Sequence, residues 1–484
     1  MNFPQTAVLS ALLFAVAAFA ADPPAAASKK RALATVERQA KTDFDGMFEI
    51  RRLRVLVPYS RTLYYNDKGH ERGLTAEAVR EFERYLNKKY AKELRNRPLT
   101  VVIIPATRDK LLTKVADGYG DIAAGDITVT EERKKIVDFV LPSEKLVMNE
   151  VVVTGPKSPA IASTDDLAGK TVHVRKSTSY YESLTLLNER FKKEGKPAVK
   201  LVLVPDALED EDMMEMLNAG LMQAIVVDDI IAKMWVQILP NVKINEGAVV
   251  RSAGQPGWAI RKNSPQLTEL LTEFFKKSVT QTYSAAARIA RQYKRIKQIR
   301  DPSADQAAQR FKDTLALFEK YGTKYGFDPL MLAAQGFQES QLDQNAKSHV
   351  GAIGVMQIMP ATGAGLKVGD ITQIEANIHA GAKYMDQLMT TYLSNATFDE
   401  LNRTLFAFAA YNAGPGRIIQ MRAEAEKRGL DREQWFNSVE IVTAEKIGIE
   451  TTTYVRNIYK YYAAYKLMLD VEAEKRKALD AVKK

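Results

Sequence analysis

The sequence contains no cysteine. That removes disulfides, thiolate metal sites, a thiol nucleophile and the lipidated cysteine of a lipoprotein. It leaves the compartment open, because secreted proteins can also do without the residue. No apolar run reaches the ~18 residues of a membrane-spanning helix. The nearest approach is Leu9 to Ala20, a small and apolar stretch ending Ala18-Phe19-Ala20 before Ala21-Asp22-Pro23. This is the pattern of a cleavable export signal over residues 1–20, although Met1–Thr6 has neither Lys nor Arg. An uncleaved amphiphilic anchor is the alternative. Also missing are a nucleic-acid recognition motif and basic residues interleaved with stacking aromatics, so nucleic acid is not an expected partner. The net charge of +10 instead suits cell-wall polymer or lipid headgroups.

What is present is enough for several cores: 484 residues, 46% of them apolar and 26% charged. Residues 21–45 are rich in Ala, Lys and Pro and read as a linker. From Arg51 the pattern predicts strands at Leu53–Val57, Leu99–Ile104 and Asp121–Gly125, alternating with helices at Leu74–Leu94 and Thr107–Ala116. A second alternation follows: strands at Leu146–Thr154, Thr171–Arg175, Lys200–Val204 and Ala224–Asp228, with helices at Tyr180–Glu194 and Asp210–Ala219. Trp258–Arg261 and a helix at Pro265–Lys277 would return the chain to the first unit. The expectation is two α/β lobes over 46–280, the second at about 150–250, with mostly parallel sheets and a ligand cleft between them. Residues 281–309 read as a basic linking helix, 310–470 as an all-helical domain, and 471–484 as a charged tail.

The helical part carries the chemistry. Asp328-Pro329 is a strong helix start. Helical spacing from it puts Leu332, Gly336 and Glu339 on one face. An inward carboxyl in a last helical turn faces both burial and the negative end of the helix dipole, and both raise its pKa. A group that keeps its proton near neutrality is what general-acid cleavage of a glycosidic bond requires. Gly351-Ala-Ile-Gly-Val-Met-Gln-Ile-Met-Pro360 then supplies a tight turn with the amide of Gln357, able to donate and accept, while Met359 could line a sugar subsite. Ala410-Tyr-Asn-Ala-Gly414 follows a buried helix and would bring Tyr411 beside Glu339, with Asn412 organising the turn.

Gln338-Glu339-Ser340, the Gly351–Pro360 turn and Tyr411-Asn-Ala-Gly414, in that order, resemble the soluble-lytic-transglycosylase catalytic domain, a lysozyme-like fold, over about 310–465. The resemblance implies that Glu339 is the sole catalytic acid and base. It assigns substrate contacts to Ser348, Gln357, Met359 and Tyr411, with Asn412 beside them, and to Glu450 and Tyr454 through a later Glu-Thr…Tyr-Val motif. Val355 replaces the family's usual leucine. The implied reaction cleaves the β-1,4 bond between N-acetylmuramic acid and N-acetylglucosamine and leaves 1,6-anhydro ends. It calls for no cofactor and no metal.

Asp121–Arg133, with Leu167-Ala-Gly-Lys-Thr-Val-His-Val174 and Ser177-Thr-Ser179 behind it, resembles periplasmic amino-acid-binding proteins. That likeness implies a carboxylate site at Arg133 and Thr128, donors at Ser179 and Thr178, an ammonium site at Asp228 and a cover from Tyr64. Gln223 stands where the family usually has an acid, and a Leu-Tyr-Tyr insertion alters the first-lobe loop. Together the two resemblances give the architecture of the membrane-bound lytic murein transglycosylase F family. The expectation is a periplasmic enzyme acting on peptidoglycan strands, with an amino acid or muropeptide-like ligand in a regulatory N-terminal cleft and peripheral outer-membrane association. A lysozyme-type hydrolase and a wall-docked transport receptor are the alternatives.

Overall fold

The computed structural model describes residues 39–278 and 305–482. The expected export signal, most of the expected linker and all of the expected basic linking helix but residues 305–309, which open the helix Asp305–Tyr325, lie outside the described residues.

The first lobe is built on β1 (Arg52–Pro58), buried along almost its whole length. A strand covered on both faces needs a continuous apolar run, not an alternating one, and Leu53-Arg-Val-Leu-Val57 supplies it. Arg54 is the exception. Its guanidinium is buried against Asp121 at 2.8 Å and caps the Gly118 carbonyl at 3.0 Å. Five strands run in the order β4 (Thr100–Ala106), β1, β5 (Ile122–Ala123), β12 (Trp258–Ile260) and β6 (Asp138–Val140). β1 pairs in parallel with β4 and β5, while β12 runs antiparallel to its neighbours. The return of β12 to the first sheet is what makes two crossings between lobes.

The second lobe orders β11 (Lys243–Gly254), β7 (Met148–Thr154), β10 (Ala224–Asp228), β8 (Thr171–Val174) and β9 (Lys200–Leu203). β7 runs antiparallel to β10 and β11, so this sheet is more mixed than the sequence suggested. β11 was invisible in sequence because its register shifts repeatedly against β7, which destroys the two-residue alternation. The short hairpin β2 (Tyr65–Asp67) and β3 (His70–Arg72) was also not foreseen. The linker reading stops early, since Phe44–Glu49 is a helix capped by the Asp43 carboxylate.

From Asp305 onward the described chain is helical, with only isolated bridges around Ile353. The last helix runs from Ile449 to Val482, taking in the Glu-Thr…Tyr-Val motif and most of the charged tail. Phe311 stacks on Tyr465 with ring centroids 4.1 Å apart, and Phe337 meets Tyr461 edge-on at 4.7 Å. These contacts tie that helix to Asp305–Tyr325 and Pro329–Ser340.

The helix Asp210–Asn218 joins the two parts of the molecule. All of its residues are buried, four acids included, and so is the N-cap Glu209. Arg61 of the first lobe reaches Asp212 at 3.2 Å and Glu215 at 2.7 Å. From the last helix, Lys460 reaches Glu215 at 2.6 Å and Asp212 at 3.3 Å, and Arg456 bridges Asp212 (3.2 Å) to Glu440. Glu211 turns the other way, accepting from the Arg61 backbone N–H (2.6 Å) and the Ser60 and Thr62 hydroxyls (both 3.1 Å). Burial and the adjacent Asp212 push its pKa up to about 7. The three cations instead hold Asp212 well below the usual carboxylate range, against the opposing effect of burial.

Removing one member strands a charge in a dry interface, which costs about 3–5 kcal/mol. Lys460→Met should therefore lower the denaturant midpoint strongly, and Lys460→Met with Glu215→Leu should recover part of the loss. A single variant as stable as the parent would show the cluster to be energetically idle.

Candidate active site

Asp328 accepts from the Leu330 N–H at 2.8 Å and Pro329 opens the helix that ends at Ser340. Gln341 and Leu342 both take left-handed backbone (φ 59°), turning the chain sharply beneath Glu339. Ser340 fastens that turn: its hydroxyl donates to the Val355 carbonyl at 2.9 Å and accepts from the Asp343 N–H at 3.1 Å. The Ser of the Glu-Ser pair thus anchors the glycine-rich loop to the helix end.

Glu339 is half-buried, and burial pushes its carboxyl up to about 7. The expected direction holds, with desolvation as the leading cause. Its partner is Tyr454, 8% exposed, whose hydroxyl donates to Oε1 at 2.5 Å and opposes the rise. Gln335, fully buried one turn earlier, reaches the same hydroxyl at 3.4 Å. Among the described residues, no carboxylate contributes to the Glu339 shift. Tyr411 lies near enough for the Glu339 charge to raise its own pKa, yet its hydroxyl donates to the Met356 carbonyl at 2.7 Å. The sequence expected a tyrosine hydroxyl beside the acid; the hydrogen bond comes from Tyr454, and Tyr411 ties down the loop.

The loop itself is held from below by side chains the sequence did not flag. Asn377 accepts from the Met356 N–H at 2.8 Å and donates to the Ile353 carbonyl at 2.9 Å. Gln344 accepts from the Val355 N–H at 3.3 Å. Gly354 is required here: φ is 79°, and a Cβ would lie 2.5 Å from the Asn377 amide nitrogen. Gln357, also left-handed (φ 47°), donates to the carbonyls of Gly354 (2.9 Å) and Ala346 (3.2 Å). Its amide nitrogen is thereby engaged, so Gln357 presents an acceptor, not the donor and acceptor expected. Met359 is 42% exposed at the head of the next helix, whereas Met356 is core. Ser348 accepts from the Ala352 N–H at 2.9 Å. Asn412 is exposed and accepts from the Thr451 hydroxyl at 2.8 Å. Glu450 is exposed in the first turn of the last helix, and no contact brings it to Glu339.

In the N-terminal part, a cavity of about 300 Å³ lies between the lobes. Arg133, Thr178, Ser179 and Asp228 line it; Thr128 and Tyr64 do not. Arg133 donates to the Thr128 carbonyl at 2.8 Å and, across the cleft, to the Ser177 carbonyl at 3.2 Å. Thr128 therefore acts through its backbone. Thr178 donates to the Arg175 carbonyl at 2.8 Å. Tyr64 must be corrected: it is 5% exposed, paired to Ser60 through the backbone, and feels Glu445 of the helical part. The Leu-Tyr-Tyr insertion leads into β2 and β3, whose turn meets the helical part. Lys68 N–H donates to the Ala444 carbonyl at 3.0 Å, and Asp67 accepts from the Ile449 N–H at 3.3 Å. The insertion docks the helical part and does not line the cavity. Gln223 is exposed, away from the cavity lining. Missed in sequence were Arg108, Asp126, Arg175 and Asp210, all lining residues.

Comparison with known proteins agrees with this division. Residues 316–434 match the Transglycosylase SLT domain, and 53–293 match the bacterial extracellular solute-binding proteins, family 3. A membrane-bound lytic murein transglycosylase F from Desulfosudis oleivorans is 28% identical over 73% of this chain and 79% of its own. The protein of that name from Pseudomonas fluorescens is 26% identical over 85% of this chain and 84% of its own. The chain belongs to the lytic murein transglycosylase F family. Among solved structures, an ancestral arginine-binding protein bound to arginine is 23% identical, with a TM-score of 0.38, over 50% of this chain and 97% of its own. In this member of the transglycosylase F family, Tyr454 lies beyond the residues matched to the SLT domain and still supplies the bond to Glu339. No helix among the described residues is long and apolar enough to cross a membrane.

Two variants test the pair. Glu339→Gln should abolish turnover of murein sacculi. Tyr454→Phe removes a donor that favours the ionised acid, so the basic limb of the pH–rate profile should move above about 7. It should also lose about tenfold in kcat (~1.4 kcal/mol) from a poorly oriented acid. An unmoved limb with unchanged kcat would show that the hydrogen bond plays no part.

Proposed function

We infer that the protein is a peptidoglycan lytic transglycosylase in which Glu339 alone acts as acid and then base. The observation that carries this reading is one half-buried carboxyl, held by the Tyr454 hydroxyl at 2.5 Å and pushed up to about 7 by burial, with no second carboxylate acting on it among the described residues. Ordinary glycosidases place two carboxyls about 5–9.5 Å apart across the bond. Here the proton on Glu339 would pass to the oxygen between N-acetylmuramic acid and N-acetylglucosamine. With no protein carboxylate opposite, the cationic centre would be stabilised by the muramic 2-acetamido oxygen. The ionised Glu339 would then remove the proton from that sugar's C6 hydroxyl, which closes onto C1. Attack from within the same sugar is effectively intramolecular, so water is not needed as nucleophile.

Tyr454 orients the acid by donating to Oε1, leaving Oε2 for the substrate. The Gln357 carbonyl oxygen is suited to an acetamido N–H, and exposed Met359 to a sugar face. Ser348 belongs to the same loop, Tyr411 and Asn412 to the last turn of the helix Glu400–Ala413, and Glu450 is kept as a more distant substrate contact.

The N-terminal cleft is read as a regulatory site for an amino acid or muropeptide-like ligand, with Arg133, Ser179 and Asp228 as its contacts. Support comes from the helix Asp210–Asn218. Its start lies at the cleft, and Asp212 and Glu215 hold Arg456 and Lys460 on the helix that carries Tyr454. A ligand that shifts this helix would move the group bonded to Glu339, provided it binds the two arrangements unequally. Export to the periplasm, without a lipid anchor and with peripheral attachment to the outer membrane, completes the reading.

Mass spectrometry of digested sacculi should show muropeptides lighter by one water than lysozyme products. Reducing ends instead would identify a hydrolase. Soluble stem peptides that stabilise the wild-type chain should change its turnover, and Arg456→Met should weaken that response. A stabilising ligand that leaves turnover untouched would restrict the cleft to another role.

A further inference from the structure

Gln335 is an amide among apolar and small neighbours. Met331 to Phe337 is a fully buried stretch of the helix Pro329–Ser340, and Gln335 is its one amide. Its exposure is 0%, and its Oε1 has no hydrogen-bond partner among the described residues. A buried acceptor left unpaired destabilises a fold, and nearly all such groups in a finished interior are paired. Packing alone gives no reason for an amide here, since an apolar side chain of the same length would fill the volume.

What the amide does reach is Tyr454. Its Nε2 lies 3.4 Å from the Tyr454 hydroxyl, and that hydroxyl donates to Glu339 Oε1 at 2.5 Å. Gln335 and Glu339 are four residues apart, so one helix face presents both of them to the last helix. The three side chains form a chain of hydrogen bonds, with a dry inner end at Gln335 and an outer end at the half-buried acid. Tyr411, on the helix Glu400–Ala413, is the other titratable group facing Glu339 among the described residues, and its hydroxyl is committed to the Met356 carbonyl.

Such a chain has a direction. A tyrosine hydroxyl has one proton to give. With the Gln335 N–H donated to the Tyr454 oxygen, the tyrosine proton is left for Oε1 of Glu339, and the proton of the neutral acid must sit on Oε2. In the reversed chain the acid would donate from Oε1 to Tyr454, and Tyr454 would donate inward to Gln335. That arrangement points the acid's proton into the interior, away from a glycosidic oxygen. Reversal requires the amide to turn over in a close-packed, fully buried stretch. At 3.4 Å the inner bond is the weaker of the two; it chooses the direction, while the outer bond holds the acid. Burial and the Glu339 charge raise the Tyr454 pKa well above the usual phenol range, and the Gln335 bond acts against that rise, making the hydroxyl a better donor.

We propose that Gln335 is a positioning residue that fixes the direction of this chain and so keeps the transferable proton of Glu339 on Oε2, facing the substrate. It acts through Tyr454 and touches no reacting atom. The proposal rests on Glu339 as the catalytic acid and adds the residue that decides which of its oxygens carries the proton.

Gln335→Met keeps the volume and removes the donor. On isolated glycan strands it should lose about threefold to tenfold in kcat with KM unchanged, the range of one neutral hydrogen bond. The basic limb of the pH–rate profile should move upward, because a weaker Tyr454 donor favours the ionised acid less. The denaturant midpoint should stay level or rise, since the unpaired acceptor is gone. In a Tyr454→Phe background the same substitution should change neither kcat nor the limb, because the chain is already cut. Gln335→Glu is the rescue: burial keeps its carboxyl neutral, and the O–H donates to Tyr454, so at about pH 5 its kcat should exceed that of Gln335→Met. Parent kcat and an unmoved limb in Gln335→Met overturn the proposal. So does an equal loss in the Tyr454→Phe background, or a loss that tracks a lowered midpoint, since either makes Gln335 a packing residue. These results leave the acid in place; turnover by Glu339→Gln is the outcome that counts against Glu339 itself.

Discussion

Buried carboxylates on one short helix set the arrangement of this molecule. From Glu209 to Glu215, side chains point to the ligand cavity, to the Ser60–Thr62 loop and to the last helix. Burying an ionised carboxylate is tolerable only where a cation and hydrogen bonds replace water. Arg61, Arg456 and Lys460 meet that demand from two different parts of the chain. The lobes and the helical part are thus held in one relative placement by charge matching as much as by apolar contact. Lys460, at 0% exposure, has its ammonium paired with Asp212 and Glu215.

The same physics, applied more gently, shapes the acid proposed for catalysis. Glu339 is not matched by a cation; it has a tyrosine hydroxyl instead. Desolvation without a counter-charge favours the neutral form, and a single hydrogen bond tempers the effect. Matched acids build the scaffold, while unmatched ones retain protons and remain available for chemistry.

Much of this was legible in the sequence. Apolar runs such as Leu53–Val57 and Ala224–Asp228 announce buried strands, because nothing else in a chain of this composition needs them. Glu339 was legible from its face of the helix and from the motifs after it. Less legible were features that depend on register or on distant partners. β11 carries Gly and charge through an irregular pairing. Tyr454 is separated from Glu339 by more than a hundred residues, and their helices meet through packing such as that of Phe337 on Tyr461 and Tyr465. Tyr64 was placed over the ligand by analogy, and the hairpin after it turned the segment toward the helical part instead.

By itself, then, the sequence determined which segments could be strands or helices, which carboxyl could serve as the acid and which turns demand glycine. These are local properties, set by side-chain periodicity and backbone sterics. Tertiary structure decided which tyrosine hydroxyl reaches Glu339, that the Gln357 amide nitrogen is engaged by carbonyls, and which acids are matched. Hydrogen bonds and charge pairing act over a few ångströms between residues far apart in the chain, and only the folded geometry supplies those distances.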